Sequence, residues 1–62
     1  MMEELKQLRV IVDELAGQIT KLETLIRVKI SAGEDASQER AELVRARTQY
    51  NKWNEALRAE GV

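Results

Sequence analysis

The spacing of the apolar residues constrains this sequence most, because from Leu5 onward it alternates between four and three positions. This alternation continues for more than three heptads and is typical of an α-helix that packs along one seam. Position a is mostly β-branched and position d is leucine, a choice that favours two parallel strands in a simple coiled coil. The a positions are Leu5, Val12, Ile19 and Ile26, and the d positions are Leu8, Leu15 and Leu22.

The apolar stripe of this first helix is wider than a two-stranded coil requires. Further apolar residues occupy the flanking e and g positions, where a single partner helix would leave them half in water. We therefore expect a third or fourth helix to cover them, as in a helical bundle. These flanking residues are Ile11, Ala16, Leu25 and Ile30.

The apolar pattern pauses over residues 31–37. Gly33 favours the left-handed conformation that ends a helix, and Lys29 suits a last helical turn. Asp35 and Ser37 are competing candidates for the N-cap of a second helix. Because short connections usually join antiparallel helices, we predict one helical-hairpin domain over residues 1–62. Its first helix spans about 3–31, its loop about 32–36 and its second helix about 36–60.

The second helix has a thinner and more aromatic stripe, formed by Leu43, Ala46, Tyr50, Trp53 and Leu57. An unbroken helix of nearly the whole chain is the alternative, because several of these residues continue the d positions of the first helix. Against it, the a positions of that frame become Gly33, Arg40, Arg47 and Asn54. We predict an all-α hairpin whose core residues are Leu5, Leu8, Val12, Leu15, Ile19, Leu22, Ile26, Leu43, Tyr50, Trp53 and Leu57.

Self-association is the means of stabilisation that the composition leaves open. A chain of 62 residues builds only a small core, and such domains usually need a disulfide, a metal or a partner subunit. The sequence contains no cysteine and no histidine, so disulfides and the usual zinc ligands are excluded. We expect a homo-oligomer, most simply a dimer that forms a four-helix bundle or a coiled-coil-like assembly.

Enzymatic chemistry is not indicated. Without histidine or cysteine the usual proton shuttles and thiol nucleophiles are missing, so we expect no catalytic residues. The carboxylates fall outside the aliphatic a and d positions of the first helix, whereas a buried di-metal site needs carboxylates that project into the core, so we expect no cofactor or metal. The net charge of −1 provides no field that would draw the chain to an anionic membrane, and no apolar run approaches the roughly 18 residues of a transmembrane helix. The acidic start Met1-Met2-Glu3-Glu4 is unlike a signal peptide, so we expect a cytoplasmic location.

A stripe of arginine and asparagine on one side of the second helix is the candidate binding surface. It consists of Arg40, Arg47, Asn51, Asn54 and Arg58. Such residues bind phosphates, base edges or the carboxylates of a partner protein. The alternative is a solvated flank whose arginines pair with acids of the first helix, such as Asp13, Glu14 or Glu23. Tyr50 and Trp53 are likewise either a stacking platform for a base or core residues with polar tips at the rim.

The segment from Ser37-x-Glu39-Arg40 to Trp53-x-x-Ala56 resembles the helical hairpin of phage-encoded cyclic-oligonucleotide sponges, over about the last 25 residues. This resemblance implies an oligomer that captures a small anionic ligand, but we base no family assignment on it. From the residues we expect a non-enzymatic interaction protein, such as a regulator, adaptor or inhibitor that binds another protein. Capture of a nucleotide or nucleic acid through the arginine–asparagine stripe is the second hypothesis, and a purely structural oligomerisation domain is the third.

Overall fold

The chain folds into two helices, α1 (Met2–Ser31) and α2 (Ser37–Ala59), which pack against each other. The computed structural model describes the backbone of residues 2–60 and the side chains of residues 4–60. The molecule measures 48 × 14 × 13 Å, the shape of two helices lying side by side. The predicted all-helical hairpin is therefore confirmed, and the unbroken helix is excluded.

The chain leaves α1 through a Schellman motif. Gly33 has a φ of 74°, in the left-handed region that favours glycine. The backbone N–H of Glu34 donates to the carbonyl oxygen of Lys29 (2.7 Å), and the N–H of Gly33 donates to that of Ile30 (3.0 Å). These bonds satisfy two of the carbonyl groups that lack a partner at the end of a helix. The predicted role of Gly33 is confirmed.

The start of α2 uses both predicted capping residues, but neither is the N-cap. Ala36 occupies that position and its side chain is buried. The carboxylate of Asp35 accepts hydrogen bonds from the backbone N–H of Ser37 (3.2 Å) and from its hydroxyl group. An aspartate bonded to the amide two positions later forms an Asx turn, and this turn directs the chain into α2.

Two ion pairs between the helices define their register. Lys29 pairs with Glu39, and Glu23 pairs with Arg47. For a residue of α1 and a residue of α2 that lie at the same level of the hairpin, the two residue numbers therefore add up to about 69. At this register the a positions of α1 lie level with the apolar residues of α2, in the combinations Val12 with Leu57, Ile19 with Tyr50, and Ile26 with Leu43.

The hairpin by itself does not enclose a core. Among the described side chains, the buried apolar ones are Val12, Ala36 and Ala46, and no large side chain is fully buried. Of the predicted core residues only Val12 is buried, while the other ten are partly exposed. Much of the apolar surface that the heptad pattern provides is thus still in contact with water.

Candidate functional site

An apolar groove runs along one side of the hairpin between α1 and α2. Its volume is about 890 Å³. The α1 wall is built on Leu15, Leu22, Leu25 and Val28, and the small side chain of Ala46 forms part of the floor on α2. Polar residues complete the lining, namely Gln18, Lys21, Thr24, Glu42, Arg45 and Gln49. We call this surface the apolar groove.

The apolar groove leaves large aliphatic side chains in water. Leu25 is 43% exposed and Val28 is 58% exposed. Both lie on the flank of α1 away from α2, with Leu25 three positions after the half-buried Leu22 and Val28 three positions after Leu25. An exposed apolar surface of this kind, rimmed by polar residues, is typical of a contact with another molecule.

An ion pair joins the two helices near the loop, on the same side of the hairpin as the groove. The Nζ atom of Lys29 lies 2.6 Å from Oε2 of Glu39, and these side chains are 33% and 14% exposed. The hydrogen bond with Lys29 lowers the pKa of Glu39, and the same bond raises the pKa of Lys29. The second carboxylate oxygen of Glu39 is buried without a hydrogen-bond partner in the described part of the chain. This pair therefore joins the last turn of α1 to the first turn of α2 in partly dehydrated surroundings.

The arginine–asparagine stripe lies on the opposite side of the hairpin. Four of its members, Arg40, Arg47, Asn51 and Arg58, are exposed, and Asn54 is half-buried. The guanidinium of Arg47 donates to Oε2 of Glu23 at 2.7 Å. One arginine of the stripe is thus paired as the solvated-flank interpretation expected.

The remaining arginines of the stripe are differently placed. Arg40 and Arg58 form no ion pair with any residue from 4 to 60, and neither Asp13 nor Glu14 pairs with them. On α1, Arg9 and Arg27 lie on the same side as Thr20, since they are separated from it by about three and two helical turns. Both are exposed. The two helices together form a surface richer in arginine than α2 alone indicated.

A shallow depression of about 400 Å³ lies within this second side. Arg47, Tyr50 and Asn51 of α2 line it, with Ala16, Ile19 and Thr20 of α1. Trp53 does not join Tyr50 there. It is half-buried, and the Nζ atom of Lys52 lies 5.4 Å from the centre of its ring, within the range of a cation–π contact. The two aromatic residues therefore do not form a common stacking platform.

Across residues 2–60, neither helix is long and apolar enough to cross a membrane. In the same part of the chain, no group of carboxylates is placed to hold a metal ion. No known protein family, no curated protein and no solved structure matches this chain.

Sequence reasoning located the stripe but missed most of the groove. Val28 and Arg45 belong to neither the a nor the d positions, so the heptad pattern gave no reason to select them. The wide apolar flank of α1, with Leu25 as its exposed member, was the available signal. Arg9 and Arg27 were missed because their relation to the stripe depends on how α1 faces α2.

Proposed function

We propose that this protein is a non-enzymatic interaction protein that works as a homo-oligomer, most simply a dimer, and binds a second protein through the arginine–asparagine stripe. The observation that supports this proposal is the open apolar groove in a hairpin that has no fully buried large side chain among residues 4–60. A second hairpin placed on the groove would complete a four-helix bundle.

The accessible surface supports an interface of ordinary size. The hairpin exposes 4973 Å². A compact monomer of 7.1 kDa would expose about 4,100 Å² by the usual scaling of surface with mass. The difference is close to the roughly 800 Å² that each partner contributes to a standard protein interface. Covering the groove would thus bring the surface of each hairpin near that of a compact protein.

The dimer is tested by placing a charge on each side of the hairpin. Leu25→Glu introduces a carboxylate into the groove, whereas Val44→Glu introduces one at an apolar residue of α2 that is 65% exposed and is not part of the groove. Light scattering coupled to gel filtration should give twice 7.1 kDa for the wild type and for Val44→Glu. Leu25→Glu should dissociate. A folded wild-type monomer at micromolar concentration would contradict the proposal.

The layout of the stripe favours an acidic protein surface over a compact ligand. Arg40 and Arg58 are eighteen positions apart on α2, about 27 Å along the helix axis. Guanidinium groups so far apart cannot converge on one phosphate, but they can each bind a carboxylate of an extended partner. Arginine is also enriched at protein interfaces and their hot spots.

Capture of an anionic ligand is the second candidate function, and the depression lined by Arg47, Tyr50 and Asn51 favours it. The carboxylate of Glu23, 2.7 Å from the Arg47 guanidinium, disfavours it, because this carboxylate would repel an anion. A rise in melting temperature with added nucleoside monophosphate, lost in Arg47→Gln, would support this function over the first.

A further inference from the structure

We infer that two hairpins associate through antiparallel contact of their α1 helices, with a two-fold axis at Gln18; this inference rests on the proposed homo-oligomer. The α1 wall of the apolar groove continues toward the N-terminus as a stripe with spacing four, three, four and three. The stripe consists of Ile11, Leu15, Gln18, Leu22 and Leu25. All except Ile11 line the groove.

This stripe has the same pattern in both directions along the helix. Two aliphatic residues, one amide and two aliphatic residues follow each other from either end. In a symmetric dimer the same patch occurs on both subunits. If one residue of the first copy contacts another residue of the second copy, the same contact forms again with the two copies exchanged. A two-fold axis at Gln18 places Ile11 level with Leu25 of the second copy and brings Leu15 within one residue of the level of Leu22.

The charges beside the stripe select this orientation. Glu14 and Lys21 are exposed and lie on the outer edge of the stripe, seven positions or about 10 Å apart. In the antiparallel arrangement each Glu14 lies within one residue of the level of Lys21 from the second copy, and symmetry forms this contact twice. A parallel arrangement in register would instead place like charges level with each other.

Both side chains are available for such a contact. Neither Glu14 nor Lys21 forms an ion pair within the described part of the hairpin. On α1, every residue three or four positions from either of them is uncharged. An ion pair within the helix, which would need that spacing, is therefore ruled out. In the antiparallel dimer the second copy places an opposite charge close to the level of each of these two side chains.

A charge exchange tests the orientation. Glu14→Lys and Lys21→Glu, as single changes, each place two like-charged contacts in the antiparallel interface. Each should raise the Kd of the dimer about tenfold at low salt, since like charges facing across an interface are unfavourable. The double variant Glu14→Lys with Lys21→Glu restores opposite charges and should return the Kd to within about threefold of the wild type. Sedimentation equilibrium across a dilution series measures all three constants.

Glu55→Lys is the matched control, because it changes the net charge as Glu14→Lys does but lies on an exposed position of α2 outside the groove. It should leave the Kd near that of the wild type. Single changes without effect in a protein that still dimerises, or a double variant weaker than either single change, would overturn the antiparallel arrangement alone. A folded wild-type monomer would overturn both this inference and the proposed function.

Discussion

The two sides of the hairpin are built from the same two helices but expose opposite kinds of surface. The groove side presents leucine and valine, and its ion pair, Lys29 with Glu39, is 33% and 14% exposed. The other side presents arginine and asparagine, and its ion pair, Glu23 with Arg47, is 42% and 56% exposed. Apolar surface is stabilised by leaving water, whereas charged surface is stable in it. Under the proposed function, a second copy of the chain covers the groove side, and the side with the arginine–asparagine stripe remains free for a partner.

The largest expected effect is on the free energy of unfolding, and it differs between an apolar residue in the groove and one outside it. Leu22 lies in the apolar groove, and Leu22→Ala should lower the free energy of unfolding by about 2–5 kcal/mol, as large-to-small changes in a covered core do. Val44 lies outside the groove and is 65% exposed, so Val44→Ala should change it by less than about 0.5 kcal/mol. Urea denaturation followed by circular dichroism measures both.

Equal and small effects of the two alanine substitutions would remove the distinction between the sides. The groove would then be surface that stays in water, and the hairpin would be stable without a second copy. A loss for Leu22→Ala that depends on protein concentration would sharpen the distinction, since dimer stability follows subunit concentration.

A smaller effect is expected on binding through the charged side. Arg40→Glu combined with Arg58→Glu should weaken partner binding by about tenfold or more, as the loss of interface arginines commonly does. These two arginines suit the test better than Arg47, whose replacement would also disturb its bond with Glu23. Affinity capture from the source cells, with the double variant in parallel, identifies the partner as the protein that only the wild type retains.

The control for this change is Lys6→Glu with Lys52→Glu, which alters the net charge equally at two exposed residues outside both the apolar groove and the stripe. Helicity and oligomer mass should stay unchanged in the stripe variant. Retention of the same partner by both variants would assign the arginine–asparagine stripe to a solvated flank.

The sequence predicted the parts of this fold that depend on local chemistry. The turn at Gly33 follows from its tolerance of a positive φ, and the side of α2 that carries Arg40 and Arg58 follows from helical periodicity. The groove could not be predicted in the same way. Its walls depend on how far α1 is rotated toward α2, which is set by contacts such as Lys29 with Glu39, ten positions apart in the chain. Ala36 was missed as a buried residue because it lies in the loop.

The smallest effects concern the two ion pairs. The Glu23–Arg47 pair is well exposed, so Glu23→Gln should lower the free energy of unfolding by only about 0–1 kcal/mol at neutral pH. Glu39→Gln should cost more, because the Glu39 side chain is 14% exposed and its loss leaves the Lys29 ammonium without its partner. Thermal unfolding of both variants beside the wild type shows which one loses more stability. An equal loss would show that the two ion pairs contribute equally to the stability of the hairpin.

The pH dependence of stability tests the contribution of the Lys29–Glu39 pair. Because its bond with Lys29 lowers the pKa of Glu39 below the ordinary 4.5, this contribution is present above that value and is lost as the pH falls through the lowered pKa. The bond of Asp35 with Ser37 lowers the pKa of Asp35 below 3.8 and adds a further loss in acid. The pKa of Lys29 is raised above 10.5, so its contribution is lost as the pH rises through the raised value. Glu39→Gln should therefore reduce the loss of stability on both the acid and the alkaline side, leaving the part that Asp35 supplies. A Glu39→Gln variant that loses stability in acid and in alkali as steeply as the wild type would contradict a stabilising contribution from the Lys29–Glu39 pair.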